Sequence, residues 1–127
     1  MVKYTRYTTL FVSDQDRALN FYKKLGLEKR DDVNGPFGRW LTVASPGDRH
    51  EILLWPGTPQ KPESAIKEFL PGLVFLEYDD LRKDVERMRS EGVKFDDEVP
   101  VEYEFGLRAE TSDPDGNHIA LRQDRNK

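Results

Sequence analysis

The chain has 127 residues, of which 36% are hydrophobic, 35% charged and 11% aromatic, with 24 acidic side chains against 20 Lys and Arg and a net charge of −4. That length suits one ordinary core and is too short for two independent ones, the aromatic share is too high for a disordered chain, and the interspersed charges form no basic stripe of the kind that follows a phosphate backbone. No cysteine is present, which excludes disulfides, zinc–thiolate centres and thiol nucleophiles. Met1 to Arg6 carry no charged-then-apolar leader, and no apolar run is long enough to span a bilayer. A cytoplasmic protein without nucleic-acid or membrane partners is expected.

In chain order, Tyr4 to Val12 reads as the first strand, rich in β-branched residues and apolar on both faces. Ser13-Asp14 supplies a helix N-cap, because a side-chain oxygen there can accept from the first free helical N–H groups. Ala18, Leu19, Tyr22 and Leu25 follow at helical spacing, and Gly26 suits the left-handed residue that ends a helix. Leu27 restarts an extended segment. Arg39 to Val43 and Glu51 to Leu54 read as two further strands joined through Ser45-Pro46-Gly47-Asp48, which is hairpin turn chemistry.

Pro56 to Pro71 reads as a linker, with one helical turn expected near Ala65 to Phe69. From Leu73 the first pattern returns: an apolar strand to Tyr78, a cap at Asp80, Leu81, Val85 and Met88 at i, i+4 and i+7, then Gly92 and a restart at Val93. Asp14 to Gly26 and Asp80 to Gly92 are equal separations, so cap, helix length and terminator repeat together. Leu107 to Thr111 and His118 to Leu121 complete the second half across Asp113-Pro114-Asp115-Gly116. The reading is an α+β fold of two βαβββ modules, at about 4–56 and about 71–123, within one domain over 1–127; the helices fall near 14–25 and 80–91. Two such sheets side by side would curl around a cup, with the helices outside.

Phe11-Val12-Ser13-Asp14, Ala18, Phe21-Tyr22, Leu25-Gly26, Arg39 to Val43 and Asp113-Pro114-Asp115-Gly116-Asn117 together resemble the vicinal oxygen chelate superfamily, in particular its small glyoxalase, bleomycin-resistance and dioxygenase-like bacterial members. The resemblance covers nearly the whole chain. It implies a cup that often holds a divalent metal on four ligands, two from each module. The metal then stabilises an enolate or activates dioxygen on a substrate with two adjacent oxygens. It also implies, commonly, a homodimer. Binding-only members use the same cup without a metal.

In metal-binding relatives the first-strand ligand stands seven residues before the capping Asp, which falls here on Tyr7 and Leu73. The later-strand ligand is matched by Glu51 and Ala120. Leu73 and Ala120 have no donor atom, and a phenol such as that of Tyr7 is a poor ligand for most divalent ions. No metal and no other cofactor is therefore expected. The fallback is a displaced set of Tyr7, Glu51 and His118 with nickel, manganese, iron or zinc.

Parity anchored at those four positions directs Tyr7, Thr9, Phe11, Glu51, Leu53, Trp55, Leu73, Phe75, Glu77, His118, Ala120 and Arg122 into the cup; His50 points the other way. Trp40 either lines the mouth or packs in the core, and Phe11, Leu53 and Phe75 either contact a ligand or fill the core. Tyr103 and Phe105 either close over a flat ligand or form a solvated hairpin edge. Glu51 is the best candidate base, or else pairs with Arg39 or Arg122 in an inert polar floor. The expected function is metal-independent binding of a small molecule, or an unassigned activity, in that cup. The alternatives are a divalent-metal lyase of the lactoylglutathione lyase kind or a dioxygenase, and an interaction module with a collapsed cup.

Overall fold

The computed structural model describes residues 1–125 and divides the chain into two compact units, the first Met1–Gln60 and the second beginning at Lys61. The first contains β1 (Tyr7–Val12), α1 (Gln15–Lys24), β2 (Glu28–Gly35), β3 (Gly38–Ala44) and β4 (Glu51–Pro56). The second contains β5 (Val74–Glu77), α2 (Leu81–Ser90), β6 (Val101–Tyr103), β7 (Gly106–Ser112) and β8 (His118–Asp124). Each unit is one four-stranded mixed sheet, ordered β1-β4-β3-β2 in the first and β5-β8-β7-β6 in the second. In both, the first strand runs parallel to the last and the other neighbours are antiparallel. No helix among the described residues is long and apolar enough to cross a membrane.

The repeat read from the sequence extends to individual hydrogen bonds. Asp14 accepts from the Arg17 N–H and Asp80 from the Lys83 N–H, each three residues on, which satisfies an amide the helix itself cannot. At the other ends Gly26 donates to Lys23 and Leu27 to Tyr22, while Gly92 donates to Arg89 and Val93 to Met88. That double closure needs a residue with positive φ, and Gly26 (105°) and Gly92 (96°) provide it. Leu27 and Val93 are buried just beyond, so each helix stops where the chain dives back to the core.

Ala18, Tyr22 and Leu25 bury one face of α1 against its sheet; Leu81, Val85 and Met88 do the same for α2. The sheet surfaces they cover are Leu10, Val12, Leu41, Val43, Ile52 and Leu54 in the first unit, and Leu107, Ala109, Ile119 and Leu121 in the second. Burying side chains of this kind contributes about 1.5–3 kcal/mol each. The opposite face of each sheet is left without a helix of its own unit.

Three details differ from the sequence expectation. The first strand starts at Tyr7 rather than Tyr4, because Met1 to Arg6 are exposed. The expected helical turn near Ala65 is a single turn, Phe69 N–H to the Ile66 carbonyl at 3.2 Å; between Pro62 and Pro71 there is no length to nucleate more. After Val93 a full strand does not form. Phe95 makes an isolated bridge to Thr111 and β6 has only three residues, since Asp96-Asp97-Glu98 and Pro100 suit neither burial nor a ladder.

Candidate functional site

Strand register builds a surface on the open face of the first sheet. Tyr7 faces Glu51, Thr9 faces Leu53 and Phe11 faces Trp55 across the β1–β4 pair, and Thr42 faces Leu53 across β3–β4. Trp40, two residues before Thr42, shares that face. β2 and β3 join through Pro36-Phe37, between the paired Gly35 and Gly38, and this hairpin tip reaches the same surface. Thr9, Phe11, Trp40, Leu53, Trp55 and the tip residues Gly35 to Gly38 line an open cavity of about 480 Å³. Its walls are almost entirely carbon, and the two tryptophans of the chain both belong to it.

The rings are mutually braced. Trp40 stands edge-on to Tyr7 at 5.4 Å and to Trp55 at 6.1 Å between centroids, distances at which aromatic quadrupoles attract. Phe11 is held from behind, where a Cβ placed on Gly57 would come within 2.8 Å of its ring. Phe37 is 91% exposed, an aromatic ring presented to solvent at the pocket rim. The tip residues were not among the sequence candidates. Their only signal was Gly-Pro-Phe-Gly between two extended segments.

Outside the lining residues, the same sheet face carries a carboxylate two residues from Leu53 on β4. Glu51 takes a 2.6 Å hydrogen bond from the Thr42 hydroxyl, which in turn accepts the Asp31 N–H at 3.0 Å. The expected pairing of Glu51 with Arg39, within the first unit, is not what forms. Arg39 is bound by Asp32 through two N–H groups at 2.8 and 2.9 Å and by Asp16 at 2.8 Å, and Arg122 is taken by Glu110. Asp32 stands diagonally across the β2–β3 hairpin from Arg39, whereas the β3–β4 register sets Glu51 level with Ala44, at the other end of β3. That pairing holds the Asp32 carboxyl down at about 2. His50 turns to the other face, as expected, and binds the Thr8 hydroxyl and the Thr5 carbonyl, both at 2.9 Å.

The second sheet's open face is built differently. Glu110 is 6% exposed, and Arg122 donates to both its oxygens, at 2.6 and 3.3 Å. The guanidinium also lies over the rings of Phe75 (5.1 Å) and Tyr103 (5.6 Å), a cation–π arrangement on an already paired charge. Phe105 sits in the β6–β7 turn, 62% exposed, edge-on to Tyr103 at 5.7 Å. His118 Nε2 is 3.4 Å from Glu110 Oε1, at ion-pair distance but outside hydrogen-bond geometry, and has no other partner among the described residues. Glu110 was missed in the sequence. Hairpin arithmetic across Asp113 to Asn117, which sets Ser112 opposite His118 and Glu110 opposite Ala120, would have found it.

Register also moves one expected equivalence by two residues. Tyr7, seven before Asp14, faces Glu51. Leu73, seven before Asp80, donates its N–H to the His118 carbonyl, and Ala120 faces Phe75. The counterpart of Glu51 is therefore His118, and that of Ala120 is Leu53. A divalent metal, the group the resemblance implies, does not fit these residues. Leu73 and Ala120 present carbon alone, and among the described residues no three His, Asp or Glu side chains come together as ligands.

Comparison with known proteins agrees with this architecture. The uncharacterised protein YurT of Bacillus subtilis is 42% identical over 96 residues, covering 69% of this chain and 74% of its own. The crystal structure of TnmS3, an antibiotic-binding protein from Streptomyces sp. CB03234, is 32% identical and covers 97% of both chains with a TM-score of 0.76. A superfamily member from Sphaerobacter thermophilus is 30% identical over 97% of this chain and 98% of its own, also with a TM-score of 0.76. Residues 5–121 match the Glyoxalase/Bleomycin resistance protein/Dioxygenase superfamily, and the chain belongs to that family.

Proposed function

We propose that this protein binds a flat, largely apolar small molecule without the help of a metal ion, and that the pocket of the first unit holds it. The observation that carries the reading is the cavity itself. At about 480 Å³ it falls in the size range of small-molecule sites, and four aromatic side chains with a sparse polar fringe match their usual make-up. The likeness to TnmS3, described as antibiotic-binding, supports a binding role over a catalytic one. The donor set supports metal independence, since one carboxylate with a phenol beside it cannot fix the geometry of a catalytic ion. We also place the protein as a homodimer, because each open four-stranded sheet keeps edge strands with unpaired backbone groups.

Calorimetric titration with 2-(2-naphthyl)ethanol, an uncharged two-ring probe, tests the pocket. Saturable binding with quenched tryptophan emission is expected, weakened at least about tenfold by Trp55→Ala, since removing a ring anchor costs about 2 kcal/mol. No heat and no quenching up to millimolar probe would overturn it. Elemental analysis of untagged protein should find no stoichiometric divalent metal. About one nickel, manganese, iron or zinc per chain, lost in Glu51→Ala or His118→Ala, would replace this reading with the metal-dependent one. Light scattering showing a monomer at micromolar concentration would remove the dimer.

A further inference from the structure

We infer that the pocket selects aromatic ligands carrying a protonated amine, and that Glu51 is the group that receives the amine; this rests on the pocket reading above. The first ground is charge. Glu51 is partly exposed, and among the described residues no Lys, Arg or His stands within ion-pair distance of it. The cation next to the facing strand position, Arg6, lies over the Tyr7 ring at 5.1 Å. A carboxylate left without a cation on the sheet face that carries an apolar cavity, two residues along β4 from the lining Leu53, is an unfilled half of a pair.

The second ground is orientation. One oxygen of Glu51 is held by the Thr42 hydroxyl at 2.6 Å, which fixes the carboxylate and leaves the other oxygen as acceptor. The third is placement. Glu51, Leu53 and Trp55 alternate along one face of β4, so the Glu51 backbone position stands about 7 Å from that of Leu53 and about 13 Å from that of Trp55 along the strand. A ring system seated against Trp40, Leu53 and Trp55 would reach Glu51 with a spacer of two or three atoms. A charge-assisted bond there is about twice as strong as a neutral one, while the aromatic walls give affinity indifferent to charge. Affinity and selectivity thus come from separate groups and can be separated by experiment.

Three probes of one shape decide it: 2-(2-naphthyl)ethylamine, 2-(2-naphthyl)ethanol and 2-naphthylacetate, each titrated by calorimetry into the full chain and into Glu51→Gln. That variant keeps an oxygen for Thr42 and loses only the charge. The amine should bind about tenfold tighter than the alcohol, a step of about 1.4 kcal/mol, with the acetate weakest. Glu51→Gln should bring the amine within about twofold of the alcohol, both measured on that variant. Equal binding of amine and alcohol to the native chain, or a preference that survives Glu51→Gln, overturns the inference while alcohol binding lost in Trp55→Ala keeps the pocket reading. Failure of all three probes to bind at millimolar concentration overturns both.

Discussion

The two units follow one backbone plan and finish their open faces in opposite ways. Three residues before each capping Asp stand Phe11 and Glu77, and across the parallel pair they meet Trp55 and Arg122. Trp55 and Arg122 therefore occupy the same place in the repeat. So do Thr42, facing Leu53, and Glu110, facing Ala120. In the first unit these positions are a ring and a hydroxyl, which leave a cavity and an unmatched carboxylate. In the second they are a base and an acid, which neutralise each other under two aromatic rings. A repeat fixes where side chains point, while their chemistry decides whether a face stays open for a ligand or closes on itself.

The sharpest way to break this comparison is at the two hairpins. Gly38 and Gly106 restart β3 and β7 with φ of 140° and 144°, yet a Cβ on Gly106 would fall 2.1 Å from the Gln123 carbonyl oxygen, against 3.7 Å from the Trp55 ring for Gly38. Gly106→Ala should cost about 4 kcal/mol or more by chemical denaturation, and Gly38→Ala only the backbone strain of about 1–2 kcal/mol. Similar losses at both would mean the hairpins differ less than described. Next comes the equivalent pair Trp55 and Arg122. Arg122→Ala strands a buried carboxylate and should lose about 3 kcal/mol of stability, whereas Trp55→Ala should lose less stability and most of the probe binding. If Trp55→Ala proved the more destabilising, the first-unit face would be core rather than pocket.

The caps sharpen the likeness instead. Asp14→Ala and Asp80→Ala each remove one N-terminal acceptor and should each cost about 1 kcal/mol; a difference above about 1 kcal/mol would show that the repeat is not energetic. The smallest effect concerns the ion pair that braces the first hairpin. The Arg39 guanidinium lowers Asp32 from 3.8 to about 2. A depressed carboxyl adds stability above pH 3.8 that disappears as pH falls toward 2. NMR titration of Asp32 should show this, and Arg39→Met should return it to the ordinary range. Because the pair is solvent-exposed, the stability change should be slight and shrink with salt.

Much of the fold was legible in the chain because its signals are local. Caps, terminating glycines and helical spacing act within a few residues, so Asp14, Gly26, Asp80 and Gly92 marked both helices to within a residue. Pro-Gly-Asp and Pro-Asp-Gly marked two turns that close as expected, Asp48 to Ser45 and Gly116 to Asp113. Where several weak tendencies compete, as after Val93, the local reading stopped short.

The sequence by itself determined the repeat and the strand–helix order, since caps, terminators and periodicity need no partner to be read, while the open face of β1 and β4 needed the family's ligand positions as an anchor. Tertiary structure alone decided the rest. Register across the parallel pairs set His118, and not Ala120, opposite Leu73. Proximity across the hairpins gave Arg39 to Asp32 and Arg122 to Glu110, leaving Glu51 with a hydroxyl instead of a cation. The hairpin tip brought Phe37 to the rim. Pairing between charges depends on distances that backbone register sets, and these distances are not written in residue spacing.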